Sequence, residues 1–238
     1  MFDYKGKIIL VTGAAGNLGN AVVEEYLKAN GTVVAVDRQT GRLDDNFESI
    51  DTSAKLHIFN GVDLTDRQAV MSLADDVRDQ VGLVGIVVNT VGGFTAGDPI
   101  HELPMQTLQR MIDLNIKTFL NTSAGFIPHL IEKQGGKIIT IGSRSSLSGG
   151  AQTGAYAAAK SALLRMTESM AAELKTSNIQ ANCVIPSTID TPENRQAMPK
   201  ADYSKWVKPE KIAQSILFLT SPAADAISGI ALPVYGRA

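Results

Sequence analysis

The stretch VTGAAGNLGN, residues 11–20, follows the apolar run KIILVT (7–12) and opens an amphipathic segment over 18–30. Gly13, Gly16 and Gly19 are spaced every third residue. The first glycine lets the chain reverse with dihedrals closed to other residues. The second lets backbone N–H groups approach a pyrophosphate, and the third lets the helix lie tight on the strand. The helix N-terminus then offers partial positive charge to that anion. A glycine triplet alone also describes an ordinary turn. Here a strand precedes it, a helix follows it, and Asp37 ends the next apolar run, TVVAVD (32–37). A carboxylate there accepts hydrogen bonds from the adenosine ribose hydroxyls and repels a 2′-phosphate, which favours NAD. Arg38, in RQTGR (38–42), keeps NADP open as the alternative, because a guanidinium can grip that phosphate.

The same rhythm continues outward from this unit. Further apolar runs occur at LHIFNG (56–61), GIVVNT (85–90), KIITIG (137–142), QANCVI (180–185) and GIALPV (229–234). Several are apolar at nearly every position, the mark of parallel strands covered on both faces. Helical patterns lie between them near 66–80, 104–134, 153–175 and 209–220, with Pro104 and Pro209 where proline is tolerated at a helix start. The alternation predicts an α/β fold, a doubly wound sheet of about seven parallel strands with helices on both faces. No repeat or Gly/Ser linker interrupts it, so one domain over 1–238 is expected. The segment STIDTPENRQAMPKADYSKW (187–206) has two prolines, mixed charge and no period. It reads as an irregular mobile flap, about 187–208, over a site.

Composition excludes several classes of function. The chain has 238 residues, a net charge of -2 and 44% hydrophobic content, which gives no electrostatic reason to expect nucleic acid or an anionic membrane as partner. One cysteine, Cys183, suits a reducing compartment and reads as inert core. MFDYKGKIIL (1–10) is charged where a secretory signal is apolar, no run approaches a membrane span, and the three histidines lack metal-ligand spacing. A cytoplasmic, metal-free protein is the expectation.

GAYAAAKSAL (154–163) places Tyr156 and Lys160 one helical turn apart, with Ala157, Ala158 and Ala159 between them. Residues i and i+4 share a face, so the ammonium can act on the phenol and move its pKa down toward the working pH. The alanines also simply favour helix. The glycine spacing and the Tyr-x-x-x-Lys pair together resemble the short-chain dehydrogenase/reductase family, over essentially the whole chain. TGAAGNLG (12–19) is similar to its cofactor loop, which places Ala15, Asn17 and Leu18 beside the dinucleotide with the three glycines. GVDLTD (61–66) matches the segment whose Asp63 and Leu64 border the adenine. NTVGG (89–93) matches a motif usually written N-N-A-G, with Asn89, Val91 and Gly92 at the cofactor. LNIKT (114–118) aligns Asn115 with the family's structural and proton-relay asparagine. IGSRSS (141–146) ends a strand with Ser143, and IPSTIDT (185–191) resembles the stretch that holds the nicotinamide end, here Pro186, Thr188, Ile189 and Thr191. Thr90 and Val91 depart from the motif and are expected to alter packing near the cofactor. Ser187 replaces a glycine and adds a hydroxyl beside the carboxamide pocket.

The resemblance implies a Rossmann-type fold and a carbonyl/hydroxyl oxidoreductase using NAD or NADP. Tyr156 is then acid or base, Ser143 orients the substrate oxygen, Lys160 tunes the phenol and holds the ribose, and Asn115 completes a water-linked proton path. Ser145, Ser146 and Ser148 are rivals for the serine role whose expected job is loop hydrogen bonding. Gly93, Phe94, Ser145, Leu147 and Gln152, with Met198, Tyr203 and Trp206 of the flap, are expected on the substrate side. Asn194 or Arg195 would meet a polar end, and the substrate is a small to medium, partly apolar carbonyl or alcohol. The flap also resembles that of dihydropteridine reductases, which makes quinonoid reduction one alternative. A non-catalytic dinucleotide-sensing protein is another. By resemblance the assembly is a homotetramer or homodimer built on the helices 104–134 and 153–175 and the VYGRA tail.

Overall fold

A computed structural model describes residues 2–48 and 55–237. In chain order the elements are β1 (Ile8–Thr12), α1 (Asn17–Lys28), β2 (Thr32–Val36), α2 (Arg42–Phe47), β3 (Leu56–Phe59), α3 (Arg67–Gln80) and β4 (Ile86–Asn89). They continue with α4 (Met105–Ile112), α5 (Thr118–Glu132), β5 (Gly136–Ile141), α6 (Gly154–Glu173), β6 (Ile179–Pro186), α7 (Pro192–Ala197), α8 (Pro209–Thr220) and β7 (Ala231–Val234). The strands form one seven-stranded sheet in the order β3-β2-β1-β4-β5-β6-β7, each pair parallel. This is the expected Rossmann-type α/β architecture.

The continuous apolar runs have a direct cause. Along β1, Ile9 and Val11 face the layer containing Val22, Tyr26, Ile212 and Ile216 of α1 and α8. Leu10, between them, faces the other layer, with Val70, Val77, Phe126 and Leu130 of α3 and α5. Successive side chains of a strand point to opposite faces, so a strand covered on both sides is apolar at every position. The order reverses between β1 and β4, and in open parallel sheets ligands bind outside the carboxyl ends of the strands at such a reversal.

Two expectations need correction. The helical pattern over 104–134 is two helices joined by a π-helical turn, Asp113–Lys117. Asn115 breaks the register: its Nδ2 donates to the Met111 carbonyl one turn back at 2.9 Å and to the Gly93 carbonyl at 3.2 Å. A side chain that takes a helix carbonyl shifts the backbone ladder there. The flap is not wholly irregular, since it contains α7. Thr191 caps that helix by accepting from the Asn194 N–H, and Pro192 begins it. At six residues it is too short to show a period, and α2 escaped notice for the same reason.

Candidate active site

The turn after β1 has the geometry the glycines require. Gly13 sits at φ +64°, in the left-handed region. A Cβ on Gly19 would fall 2.1 Å from the Gly13 carbonyl oxygen, so only glycine lets α1 lie this close to the turn. The Thr90 hydroxyl donates to the Thr12 carbonyl at 2.6 Å, tying β1 to the chain beyond β4. That is the physical content of one departure from the family motif.

A cavity of about 250 Å³ opens beside this turn, walled by Gly13, Gly16, Asp37, Arg38, Asp63 and Leu64, with Val91 and Gly92 on the inner side. The Asp37 carboxylate accepts from the Ala15 N–H at 3.1 Å and the Gln39 N–H at 3.0 Å, which holds it at the rim. Asp63 accepts from the backbone and hydroxyl of Thr65, and these bonds hold its pKa below the usual carboxylate range. Gln39, Arg42, Val62, Thr65, Leu114 and Thr118 also line the cavity; they lie within the segments RQTGR, GVDLTD and LNIKT, which did not single them out.

Thr90 and Gly92 are shared with a second cavity, of about 480 Å³, which prolongs the first into a groove along the strand ends. Ser143, Tyr156 and Lys160 meet there, with Leu18, Pro186, Thr188 and Ile189. Each is held by a different device. Ser143 begins a 3-10 turn, Arg144–Ser146, in a capping box: its hydroxyl accepts from the Ser145 N–H while its own N–H donates to Ser146 Oγ at 3.0 Å. The Ser161 hydroxyl of α6 donates to the Ser146 carbonyl at 3.1 Å, which docks that turn on the helix carrying Tyr156. Ser146 thus has the loop role expected of it.

Lys160 is buried and donates to the Ile141 carbonyl at 2.7 Å. Burial brings its pKa down to about 8, against a smaller opposing influence of Cys183. Asn115 closes the back of the site, with its Oδ1 accepting from the Gly93 N–H at 3.3 Å. A Cβ on Gly92 would lie 2.9 Å from that Oδ1 and 3.1 Å from Lys160 Nζ, so the bare glycine is what lets the three share one corner. Phe94 lies edge-on to Tyr156 with ring centroids 4.9 Å apart. Tyr156 does not have the lowered pKa expected from its cationic neighbour. Burial raises it, and the Ser143 hydroxyl offsets only part of that.

The remaining expectations divide. Gly93, Phe94, Ser145, Asn194 and Met198 line the second cavity with Tyr156, and so do Arg144 and Ser187. Leu147, Gln152, Tyr203 and Trp206 are not among its lining residues. The Tyr203 ring lies under the Arg195 guanidinium at 4.8 Å and against Trp206 at 4.8 Å, while Arg195 is paired in a fork with Asp190. That cluster packs the flap on itself, and Arg195 is not among the residues lining the cavity. Gln152 takes φ +58° and its carbonyl accepts from Gly97. The Ser187 hydroxyl donates to the Tyr235 carbonyl at 2.7 Å rather than pointing free into the pocket. Asn89 is buried at the end of β4 with its Nδ2 unpartnered, behind the groove wall. Asn17 reaches across the groove mouth and donates to Glu193 of α7 at 2.8 Å, while Thr191 serves as the α7 cap.

The glycine cradle, the rim carboxylate and the groove across the sheet reversal fit a dinucleotide, with the adenosine beside Asp37 and the nicotinamide beside Tyr156 and Lys160. Among the described residues no helix is long and apolar enough to cross a membrane, and no cluster of three metal-ligating side chains occurs.

Comparison with known proteins agrees with this geometry. The short chain dehydrogenase family model matches residues 7–202. The 7alpha-hydroxysteroid dehydrogenase of Escherichia coli is 30% identical, the alignment covering 97% of this chain and 93% of that one. The 3-oxoacyl-acyl-carrier-protein reductase of Thermotoga maritima is 27% identical over 98% of this chain and 97% of its own. A short-chain type dehydrogenase/reductase from Mycobacterium ulcerans superposes with a TM-score of 0.92 at 23% identity, covering 99% and 90% of the two chains. The chain belongs to the short chain dehydrogenase family and is an NAD(P)-dependent oxidoreductase that interconverts a carbonyl and a hydroxyl.

Proposed function

We propose that Tyr156 is the acid in carbonyl reduction and the base in alcohol oxidation. The observation that carries this is the meeting of Ser143, Tyr156 and Lys160 in one cavity. Ser143, held in its capping box, hydrogen-bonds the substrate oxygen and offsets the alkoxide character that develops there. Asn115 and Lys160 sit behind the phenol and carry the proton path inward. The bound nicotinamide supplies the hydride and, when oxidised, a positive ring. Burial raises the Tyr156 pKa, and the charge on Lys160 and on the oxidised nicotinamide ring opposes that rise. Lys160, titrating at about 8, still carries charge at pH 7.

NAD is the proposed preference, because the Asp37 carboxylate is fixed at the rim by two backbone amides where a 2′-phosphate would sit. NADP through Arg38 is the competing reading. The substrate is a small or medium carbonyl or alcohol, bound under Phe94 and Met198. One domain carries groove and flap, and the flap over 187–208 acts as a lid. Assembly as a homotetramer or homodimer and a cytoplasmic location complete the proposal. Quinonoid reduction and pure dinucleotide sensing are not favoured: the relatives named above are dehydrogenases and reductases, and the acid/base set is complete here.

A panel of NADH and NADPH against ketones, oxo acids, β-keto thioesters, sugars and quinonoid pterins tests the reading. Tyr156→Phe is expected to lower turnover by about 10²- to 10⁴-fold while dinucleotide affinity stays within about twofold. More than a few per cent residual activity would remove Tyr156 from the role.

A further inference from the structure

The cavity holding Ser143 and Tyr156 contains a cation that the proposed chemistry leaves unused. Arg144 follows Ser143, lies at the cavity wall and is exposed. Its guanidinium lies over the Tyr235 ring, 5.3 Å from the centroid, so the head group is steered by the C-terminal tail. The arginines found in ion pairs among the described residues are Arg78, Arg165 and Arg195, and Arg144 is not one of them. Among the described residues no acidic one lines this cavity. The three carboxylates of the neighbouring flap are already engaged, Asp190 by Arg195, Glu193 by Asn17 and Asp202 by Ser204 and Lys205. The other cation of the cavity, Lys160, is buried and committed to the Ile141 carbonyl.

A planar guanidinium without a counter-charge, beside the group that orients the reacting oxygen, calls for an anionic ligand that can accept two parallel N–H bonds. We propose that Arg144 determines substrate specificity by binding a carboxylate, and that the substrate is a small hydroxy or oxo acid. A carboxylate matches the site better than a phosphate monoester, which brings nearly two negative charges to one guanidinium. The cavity, of about 480 Å³, also receives the nicotinamide end, which leaves room for a compact acid rather than a long chain. The inference rests on the proposed function for its reaction and adds the substrate class.

Two measurements test it. In the first, malonate, tartrate, their diamides and inorganic phosphate are titrated calorimetrically into wild-type protein and Arg144→Met, each with and without saturating dinucleotide. The dicarboxylates are expected to bind wild type and to bind the variant at least about tenfold more weakly, with the diamides silent. Equal binding to both proteins, or none to either, overturns the assignment, and phosphate binding more tightly than malonate overturns the carboxylate class. In the second, kcat/KM is measured for oxo acids and their methyl esters. The acid-to-ester ratio is expected to fall at least about tenfold in Arg144→Met, with Arg144→Lys intermediate because it keeps charge but loses the fork. An unchanged ratio overturns the proposal. Should Arg144→Met fail to fold, Arg144→Lys and Tyr235→Leu, which removes the steering ring, carry the same two tests. The two readings fail separately. Full activity in Tyr156→Phe with an intact Arg144 effect removes the acid/base role alone, and loss of turnover in Tyr156→Phe with no Arg144 effect removes the carboxylate site alone.

Discussion

At the adenosine end of the groove the wall is shaped by backbone and by missing side chains; at the nicotinamide end it is shaped by side chains converging from distant elements. Gly13, Gly16 and Gly19 and the amide-bound Asp37 all belong to the first two strand units, between residues 13 and 37. The chemistry at the other end draws on Ser143 after β5, Tyr156 and Lys160 on α6, Asn115 in the π-helical turn and the flap beyond β6. The first end therefore tolerates almost no added volume, whereas the second tolerates volume in places but not displacement. This contrast is open to direct attack.

The largest effect is expected at Gly19. An added methyl would meet a backbone oxygen at 2.1 Å, which cannot swing away as a side chain tip can. Gly19→Ala is expected to cost about 3 kcal/mol or more, beyond the small helical gain of alanine, and to abolish dinucleotide binding. Denaturant unfolding and fluorescence titration with NADH read both, and a stable variant with wild-type affinity would break the contrast at its firmer end. Gly92→Ala follows. Its methyl would press on Asn115 Oδ1 and Lys160 Nζ, both side-chain atoms, so the protein folds while both groups shift. Turnover is expected to drop about 10- to 100-fold with the melting temperature lowered by only a few degrees. Steady-state kinetics beside a thermal melt would show it, and a loss of stability as large as that at Gly19 would erase the difference between the two ends.

A smaller effect is expected in the flap. Asp190→Asn removes one half of the fork with Arg195, which frees the guanidinium from its place over Tyr203. Trp206, packed on Tyr203, should then change its fluorescence on dinucleotide binding more than in wild type, and KM should rise a few-fold with little change in global melting. An unaltered fluorescence response would mean that this cluster does not govern the lid.

The smallest effect lies outside the groove and serves as a control. His129, buried on α5, accepts the Val84 N–H on Nδ1 at 3.3 Å, and burial, helped by Arg78, lowers its pKa below the ordinary 6.5. A depressed histidine is neutral in the fold and more readily protonated when unfolded. Its contribution is therefore fully present above pH 6.5 and is lost as pH falls from there through the folded value. Between pH 8 and pH 5.5 the wild-type melting temperature should fall more than that of His129→Gln, while kcat at pH 8 is the same in both. Parallel melting curves would remove His129 from this role.

How much of this was legible follows from the same contrast. The strands were visible because both faces are buried, which leaves apolar letters at every position from Ile8 to Val11 and again from Ile138 to Ile139. The glycine turn was visible because its demands are local: a positive φ at Gly13 and a helix lying on its own preceding strand. Tyr156 and Lys160 were visible because one helical turn is a sequence distance. The π-helical turn was not, since it depends on Asn115 reaching a carbonyl of Gly93 across the fold. Tyr203 and Trp206 looked like pocket residues from their chemistry alone, yet Arg195 and Asp190 turn them into flap packing.

Sequence by itself thus determined the order of strands and helices, the anion cradle, the family and the candidate acid/base residues, because each is set by neighbours within a few positions. Only the tertiary structure decided that burial raises the pKa of Tyr156, that Gly92 is the meeting point of Asn115 and Lys160, and that, among the described residues, Arg144 stands without a carboxylate in the cavity. Burial, close approach and the absence of a counter-charge are properties of what surrounds a residue in space, and the chain assembles those surroundings from segments far apart in its length.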